Sequence, residues 1–277
     1  MKKVMLIDGS NLLHRCFHAF MYLAAKDGTP TGAIYGTIKM IISLIAMFKP
    51  DIIIFFTDYS RKSFRTDMFP DYKGNRSETD PNLKQQFALM ELICEKAGML
   101  CVKKDGYEAD DLIGTYANLY KQQGNEVLIV SGDKDLFQLV DENVHLVYSS
   151  TKDGFVEFDE QKCFEKFGLT PHQIIDLKAI CGDSADNYKG ILGIGEKTAT
   201  KLLAEYNSLE DIYENIEALK GKTKEKFIEH KENAFLCQQL ATINCSVPDI
   251  SLPIYSYFNL GDNLLNFLKE KLDIKTL

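Results

Sequence analysis

The chain has 277 residues, 45% hydrophobic and 26% charged, with a formal net charge of −8, the composition of an ordinary globular protein. No run approaches the ~18 apolar residues that a membrane span needs. The apolar stretch after the opening MKK is too short for a signal peptide. The seven cysteines are odd in number and lack a CxxC pair, so disulfide-framed and zinc-bound classes are set aside, and a soluble cytoplasmic protein with buried free thiols is expected.

In chain order, short apolar runs predict strands at 4–7, 52–56, 127–130 and 144–148. Between them, apolar residues at helical spacing predict helices over 31–48, 83–98 and 108–124. Pro50 stops the first helix, while Gly98 and Gly124 offer C-caps for the other two. This alternation implies an α/β fold with a mostly parallel central sheet flanked by helices. From 159 onward the pattern turns helical, at 159–167, 171–181, 196–206, 208–215, 223–236 and 262–274, with 243–257 extended. The reading is an α/β core over 1–158 and a helical subdomain over 159–277. Residues 59–82 carry Arg61, Lys62, Arg65, Lys73 and Arg76 among Phe64, Phe69 and Tyr72 with no clean period. A loop of that length within a compact domain is usually functional.

Nine carboxylates fall at element ends: Asp8, Asp58, Glu108, Asp110, Asp111, Asp133, Asp135, Asp183 and Asp186. Singly, each has an ordinary explanation as a turn residue, an N-cap or a first-turn acid. Asp8, Asp58 and Asp133 follow strands, and the carboxyl rim of a parallel sheet is where ligands bind. So many acids in one crevice repel unless cations neutralise them. Oxygen-only donors favour Mg²⁺ or Mn²⁺ over Zn²⁺, and two such ions suit phosphodiester hydrolysis. Setting these nine aside leaves 31 acidic residues against 32 basic ones, so a negative total charge does not argue against a nucleic-acid partner. A strand-end Asp also opens phosphatase motifs with a second Asp two residues on, but Ser10 stands there.

GILGIGEKTATKLL (190–203) is close to a phosphate-binding P-loop, yet Glu196 separates Gly195 from Lys197 and no strand precedes it. A helix–hairpin–helix over about 183–206 fits better. Gly193 and Gly195 let a phosphate approach the backbone, Thr198 lies in the first turn of the following helix, and Lys197 and Lys201 add charge. Lys73 and Arg76 are candidates for stabilising charge on a phosphate, and Tyr72 for stacking on a base. The basic run Lys220, Lys222, Lys224, Lys226 and Lys231 reads as a solvated face that could also touch a duplex backbone.

With these residues assembled, the chain resembles the 5′-nuclease family, which includes flap endonucleases and the 5′→3′ exonuclease domains of bacterial DNA polymerases. The resemblance runs from about Val4 to about Asp249 through IDGSN, FTDYSRKSFR, DYKGNR, GYEADD, SGDKD, GDSADN and GIGEKTA. It implies a PIN-like core and two metal sites. Asp8, Asp58, Glu108, Asp110 and Asp111 would form one; Asp133, Asp135, Asp183 and Asp186 would form the other. Lys73, Arg76 and Tyr72 would lie in an arch over the active site, with Arg65 near the DNA, and a K⁺ would be held by the hairpin carbonyls. Thr57 departs mildly from the family, which often has an apolar residue before this Asp. The implied activity is two-metal, structure-specific cleavage of DNA at 5′ ends and flaps. Mn²⁺ would substitute for Mg²⁺, RNA primers on DNA would be substrates, and the protein would act as a monomer, with a DNA polymerase as partner in cis or in trans. A DNA-binding protein with weak or no catalysis is the alternative of another class. An RNA-cleaving α/β nuclease is a third reading, disfavoured by the helix–hairpin–helix.

Overall fold

The computed structural model describes residues 1–150 and 154–277. Six strands, β1 (Lys3–Asp8), β2 (Ile52–Phe56), β3 (Leu100–Val102), β4 (Glu126–Ser131), β5 (Val144–Ser150) and β6 (Gly154–Phe158), form one sheet in the order β3-β2-β1-β4-β5-β6. All neighbours are parallel except β5 and β6. Every residue of β2 is buried, as are the last five of β1 and of β4, because helices cover both faces; these strands therefore read as continuous apolar runs. The chain winds one way from β1 to β2 and the other way from β4 to β5. The order reverses between β1 and β4, which opens a crevice at their carboxyl ends.

Helices α1 (Gly9–Ala19), α2 (Gly32–Phe48) and α4 (Pro81–Ala97) cover one face, where Leu13, Ile38 and Ile93 pack with Met5, Ile7, Ile53 and Phe55. A short α3 (Phe64–Met68) lies between α2 and α4. On the other face α5 (Ala109–Gln122) packs Leu112, Ile113 and Tyr116 on Val4, Leu6, Ile54 and Phe56. A third core joins α7 (Gln173–Cys181), α8 (Glu196–Tyr206), α9 (Leu209–Glu214), α10 (Gly221–Glu229) and α11 (Lys231–Ala241), after α6 (Glu160–Phe167) has led the chain away from β6.

Four of these strands and helices escaped the sequence reading, the short α3 among them. The Gly-Ser-Asn of 9–11 reads as a turn, yet it opens α1: Asp8 caps the helix by accepting from the Asn11 N–H at 3.0 Å. Glycine is required at position 9 because a Cβ there would come within 2.1 Å of the Phe55 ring. The other two are β3, only three residues long, and the edge strand β6. The helix expected over 223–236 is two, parted at His230, whose ψ of 18° leaves the helical region. Residues 243–257 form no strand, but Ser256 ties them to the sheet. Its carbonyl accepts from the Ile53 N–H at 2.9 Å, and its hydroxyl accepts from the Leu100 N–H at 2.7 Å. Beyond it α12 (Asp262–Lys271) packs Leu264 and Leu268 into the core beside α4. Among the described residues no helix is long and apolar enough to cross a membrane.

Candidate active site

The crevice at the strand-order reversal gathers acids from four segments. Asp8 ends β1 and is buried, accepting from the Ser131 hydroxyl at 2.6 Å. Asp133 lies two residues beyond β4, and its carboxylate accepts from the Asp135 N–H at 2.9 Å. Glu108 and Asp110 come from the start of α5. Asp183 and Asp186 come from a hairpin closed by paired backbone bonds between Asp183 and Tyr188. Glu108, Asp110, Asp133, Asp135, Asp183 and Asp186 line one cleft together with Lys73 and Arg76. Asp58 stands at its outer edge, exposed, and fixes the start of α5 by accepting from the Ala109 N–H at 2.9 Å.

Electrostatics mark the cleft as built for cations. Burial, with Asp133 and Asp58 adding repulsion, pushes the Asp8 carboxyl up to about 7 despite hydrogen bonds from Ser131 and Asn11. Burial and Asp133 likewise raise Asp135 to about 7. Asp110 is pushed well above its ordinary value by burial, then by Asp133 and Asp8. Oxygens of Asp135, Asp183 and Asp186 lie within 4.8 Å of one another. An all-oxygen set strained by like charge fits a hard divalent ion, whose charge would remove the strain.

Protein cations partly supply that charge. Lys178, on α7, ion-pairs with Asp135 and, at 2.5 Å, with Asp183. Although burial opposes it, the Lys178 contact holds Asp183 below its ordinary value. Sequence reasoning missed Lys178; its one signal was a lysine between Leu177 and Ala179, five residues before Asp183. Lys73 reaches Glu108 at 2.9 Å, and Arg76 reaches Asp186 at 2.6 Å. Burial works against the Lys73 ammonium, but Glu108 and Asp186 keep it above its ordinary value. The basic loop is pinned to the acidic hairpin through the backbone as well: the Lys73 N–H donates to the Asp186 carbonyl at 2.9 Å, and the Asn187 amide donates to the Asp71 carbonyl at 2.8 Å.

Three expected roles need correction. Arg65, expected against DNA, is buried; its guanidinium donates to both Asp111 oxygens at 2.8 Å and to the Leu240 and Thr242 carbonyls. Its fifth N–H donates to Glu108 at 3.4 Å, so no donor is left to face a phosphate. Asp111, expected among the metal ligands, is fully buried and spends both oxygens on Arg65, the Glu108 N–H and the Asn244 N–H. Tyr72, expected to stack on a base, is 4% exposed, and its hydroxyl meets Glu108 and Asp186 at 3.2 and 3.0 Å. It offers no open ring face and instead orients two acids.

The hairpin residues Gly193, Gly195, Lys197, Thr198 and Lys201 are exposed and away from the acids, on the loop between α7 and α8 and on the first turns of α8. Gly193 has φ +75°, a region costly for side-chain-bearing residues. Its carbonyl accepts from the Lys226 ammonium at 2.9 Å. Of the rest of the basic run, Lys224 pairs with Glu217 and Lys231 lies over the Tyr213 ring.

A nest of carboxylates at a parallel-sheet switch point, beside lysine and arginine on a loop, is the kind of arrangement that metal-dependent phosphodiester hydrolysis requires. The matched families agree: 5'-3' exonuclease, N-terminal resolvase-like domain, over residues 3–168, and 5'-3' exonuclease, C-terminal SAM fold, over 169–257. The chain belongs to the 5'-3' exonuclease family. It is 44% identical over 256 residues to DNA polymerase I of Lactococcus lactis subsp. cremoris, covering 89% of this chain and 29% of that protein. It is 39% identical over 261 residues to DNA polymerase I of Bacillus caldotenax, covering 92% and 30%. The chain thus spans under a third of the length of these curated relatives. The T5 5'-exonuclease with bound zinc superposes with a TM-score of 0.72 at 26% identity, covering 88% of this chain and 91% of that one. Flap endonuclease-1 from Methanococcus jannaschii, at 17% identity and a TM-score of 0.59, shares the fold.

Proposed function

We propose that this chain hydrolyses DNA phosphodiesters at 5′ ends and at 5′-flap junctions, removing flaps and RNA primers during replication and repair. The observation carrying this is the convergence of Glu108, Asp110, Asp133, Asp135, Asp183 and Asp186 on one cleft with Lys73 and Arg76 at its wall, and with buried Asp8 close enough to act on Asp110. With Asp58 at the edge, these acids are the proposed metal ligands. Two Mg²⁺ ions, or Mn²⁺ in their place, would supply an activated water and charge for the leaving oxygen.

The protein's own residues position the rest. Gly193, Gly195, Lys197, Thr198 and Lys201 would hold duplex backbone without reading bases, as glycine-rich helix N-termini hold phosphates. A K⁺ at that hairpin would share the Gly193 carbonyl with Lys226. The 5′ strand would enter at the 59–82 arch, and opening the terminal pair would bring the scissile phosphate down to the acids. Lys73 and Arg76, now on Glu108 and Asp186, would turn to the phosphate once those carboxylates are otherwise neutralised. Action as a monomer in the cytoplasm, linked to or working beside a DNA polymerase, belongs to the same reading; the core and helical units would be 1–158 and 159–277.

The test is cleavage of an end-labelled 5′-flap duplex with Mg²⁺ and with EDTA. A Mg²⁺-dependent cut within a nucleotide or so of the junction supports the proposal. Tight flap binding with no cut in Mg²⁺ or Mn²⁺ makes the chain a binding module.

A further inference from the structure

The acidic cleft is unevenly compensated. Among the described residues no lysine or arginine ion-pairs with Asp8, Asp110 or Asp133, whereas a single ammonium, that of Lys178, bridges Asp135 and Asp183. Those two acids come from separate segments. Asp135 opens the short 3-10 turn Asp135–Leu139 after β4, and Asp183 opens the hairpin that follows α7. Lys178 lies in the last turn of α7, where the Gly182 N–H donates to its carbonyl at 2.8 Å and ends the helix. Ala179 and Ile180 beside it are buried in the third core, so the helix carrying the ammonium is fixed. The Lys178 side chain is only 18% exposed. The oxygens it holds are the ones a cation would need. Oxygens of Asp135, Asp183 and Asp186 lie within 4.8 Å of one another. Asp183 Oδ1 already serves the hairpin, accepting from the Ala185 N–H at 2.7 Å and the Asp186 N–H at 3.4 Å. The freer oxygen is Oδ2, and Lys178 Nζ sits on that atom at 2.5 Å and on Asp135 Oδ1 as well.

We propose that Lys178 is a tethered counter-ion that holds the seat of the second divalent cation. It must be displaced when that ion binds, so this seat fills after, and more weakly than, the one on the Asp8 and Asp110 side. The order of loading rests on the two-cation nuclease reading, which it deepens.

Two effects of Lys178 follow from its place. In the metal-free chain it keeps Asp135 and Asp183 together, where like charges would otherwise push them apart. Toward an entering ion it presents a like charge and two ion pairs to be broken. A seat that is open only while the ammonium is away binds more weakly by the fraction of time it is open. An ion arriving at Asp8, Asp110 and Asp133 displaces no such cation. Lys178 is thus a positioning residue: it touches the acids that would hold the ion, and through them sets when the second ion enters.

The test is Mn²⁺ alone, without DNA, titrated into the full chain and followed by loss of the free-ion signal in electron paramagnetic resonance. The parent should take up two ions of unequal affinity. Lys178→Met keeps the stem and removes the charge. It should tighten the weaker ion by at least about tenfold, a modest share of what one unit charge exerts at such range. The tighter ion should bind nearly as before, which also shows that the fold is intact. Lys178→Arg keeps the charge and should bind as the parent does. In flap cleavage, the Mg²⁺ concentration giving half the maximal rate should fall in Lys178→Met. Lys178→Gln, neutral and still able to donate, repeats the comparison if the Met variant does not fold. One ion in the parent and two in the neutral variant would support the same displacement. A second seat unchanged or weakened in the neutral variants, equal tightening in Lys178→Arg, or one ion in every chain would overturn the role of Lys178. A parent that binds no Mn²⁺ would instead defeat the two-cation reading itself.

Discussion

Lys73 and Glu108 form an ion pair of 2.9 Å in which the lysine is largely shielded and the glutamate nearly buried. The left-handed backbone of Lys73, φ 55°, and its N–H bond to the Asp186 carbonyl aim the side chain at the cleft rather than at solvent. A cation held that firmly beside the proposed scissile position is placed for charge stabilisation rather than for capture of DNA. Lys73→Ala should lower single-turnover cleavage by about 10²–10³ while flap binding changes only a few-fold, the pattern of a group acting on transition-state charge. If binding collapses instead, Lys73 is an anchor and the chemistry lies elsewhere.

Asp110 illustrates the conflict between stability and function. Burial and the neighbouring Asp133 and Asp8 make its charge unfavourable in the metal-free protein. Asp110→Asn removes that charge with little change in shape. The variant should melt higher than the parent in EDTA at pH 8, yet lose Mg²⁺-dependent cleavage and most of the rise in Tm that Mg²⁺ gives the parent. A variant that melts lower in EDTA would show that Asp110 is already compensated by the protein.

Arg65 and Asp111 should report on folding. Their side chains are 3% and 0% exposed, and each oxygen of Asp111 meets a guanidinium nitrogen at 2.8 Å. Removing one partner leaves the other as a buried, unpaired charge, which costs about 3–5 kcal/mol. Arg65→Met should therefore lower the urea midpoint by that equivalent, and Arg65→Met with Asp111→Leu should recover part of the loss. Loss of flap binding by Arg65→Met with the urea midpoint unchanged would restore Arg65 to the DNA surface.

The acids were legible because metal chemistry demands a residue type at a place the strand pattern reveals. Asp8, Asp58 and Asp133 end apolar runs, and one dipole does not need three acids within four residues of 108–111. Their separate duties were not legible. Asp110 and Asp111 are adjacent in sequence, but a helix turns consecutive residues about 100° apart. One enters the cleft and the other meets Arg65, a residue 46 positions earlier. Tyr72 was hidden in the same way: an aromatic in a basic loop reads as a stacking platform until the third core is seen to close over its ring. Lys178 had no motif at all, because its role arises only when α7 packs beside the turn that follows β4. Helix α1 was lost to turn-like residues whose glycine serves contact with Phe55.

The same raised carboxyls set a pH dependence for the metal-free protein. Asp8 and Asp135 titrate near 7 when folded, against an ordinary 3.8. Between those values the folded chain holds protons that the unfolded chain has shed. Stability contributed by these groups is therefore present at low pH and lost as pH rises toward 7, by up to about 1.4 kcal/mol per proton per pH unit. Asp183, held down by Lys178 against burial, runs the other way and matters only below its ordinary value. In EDTA, Tm should thus fall between about pH 5 and pH 7.5. In millimolar Mg²⁺ the decline should flatten or reverse, because a cation that binds the carboxylates competes with the protons and binds more tightly as they leave. Differential scanning fluorimetry across that range, with Mg²⁺ and with EDTA, checks it. Parallel curves in the two conditions would mean that these acids do not gather around a cation.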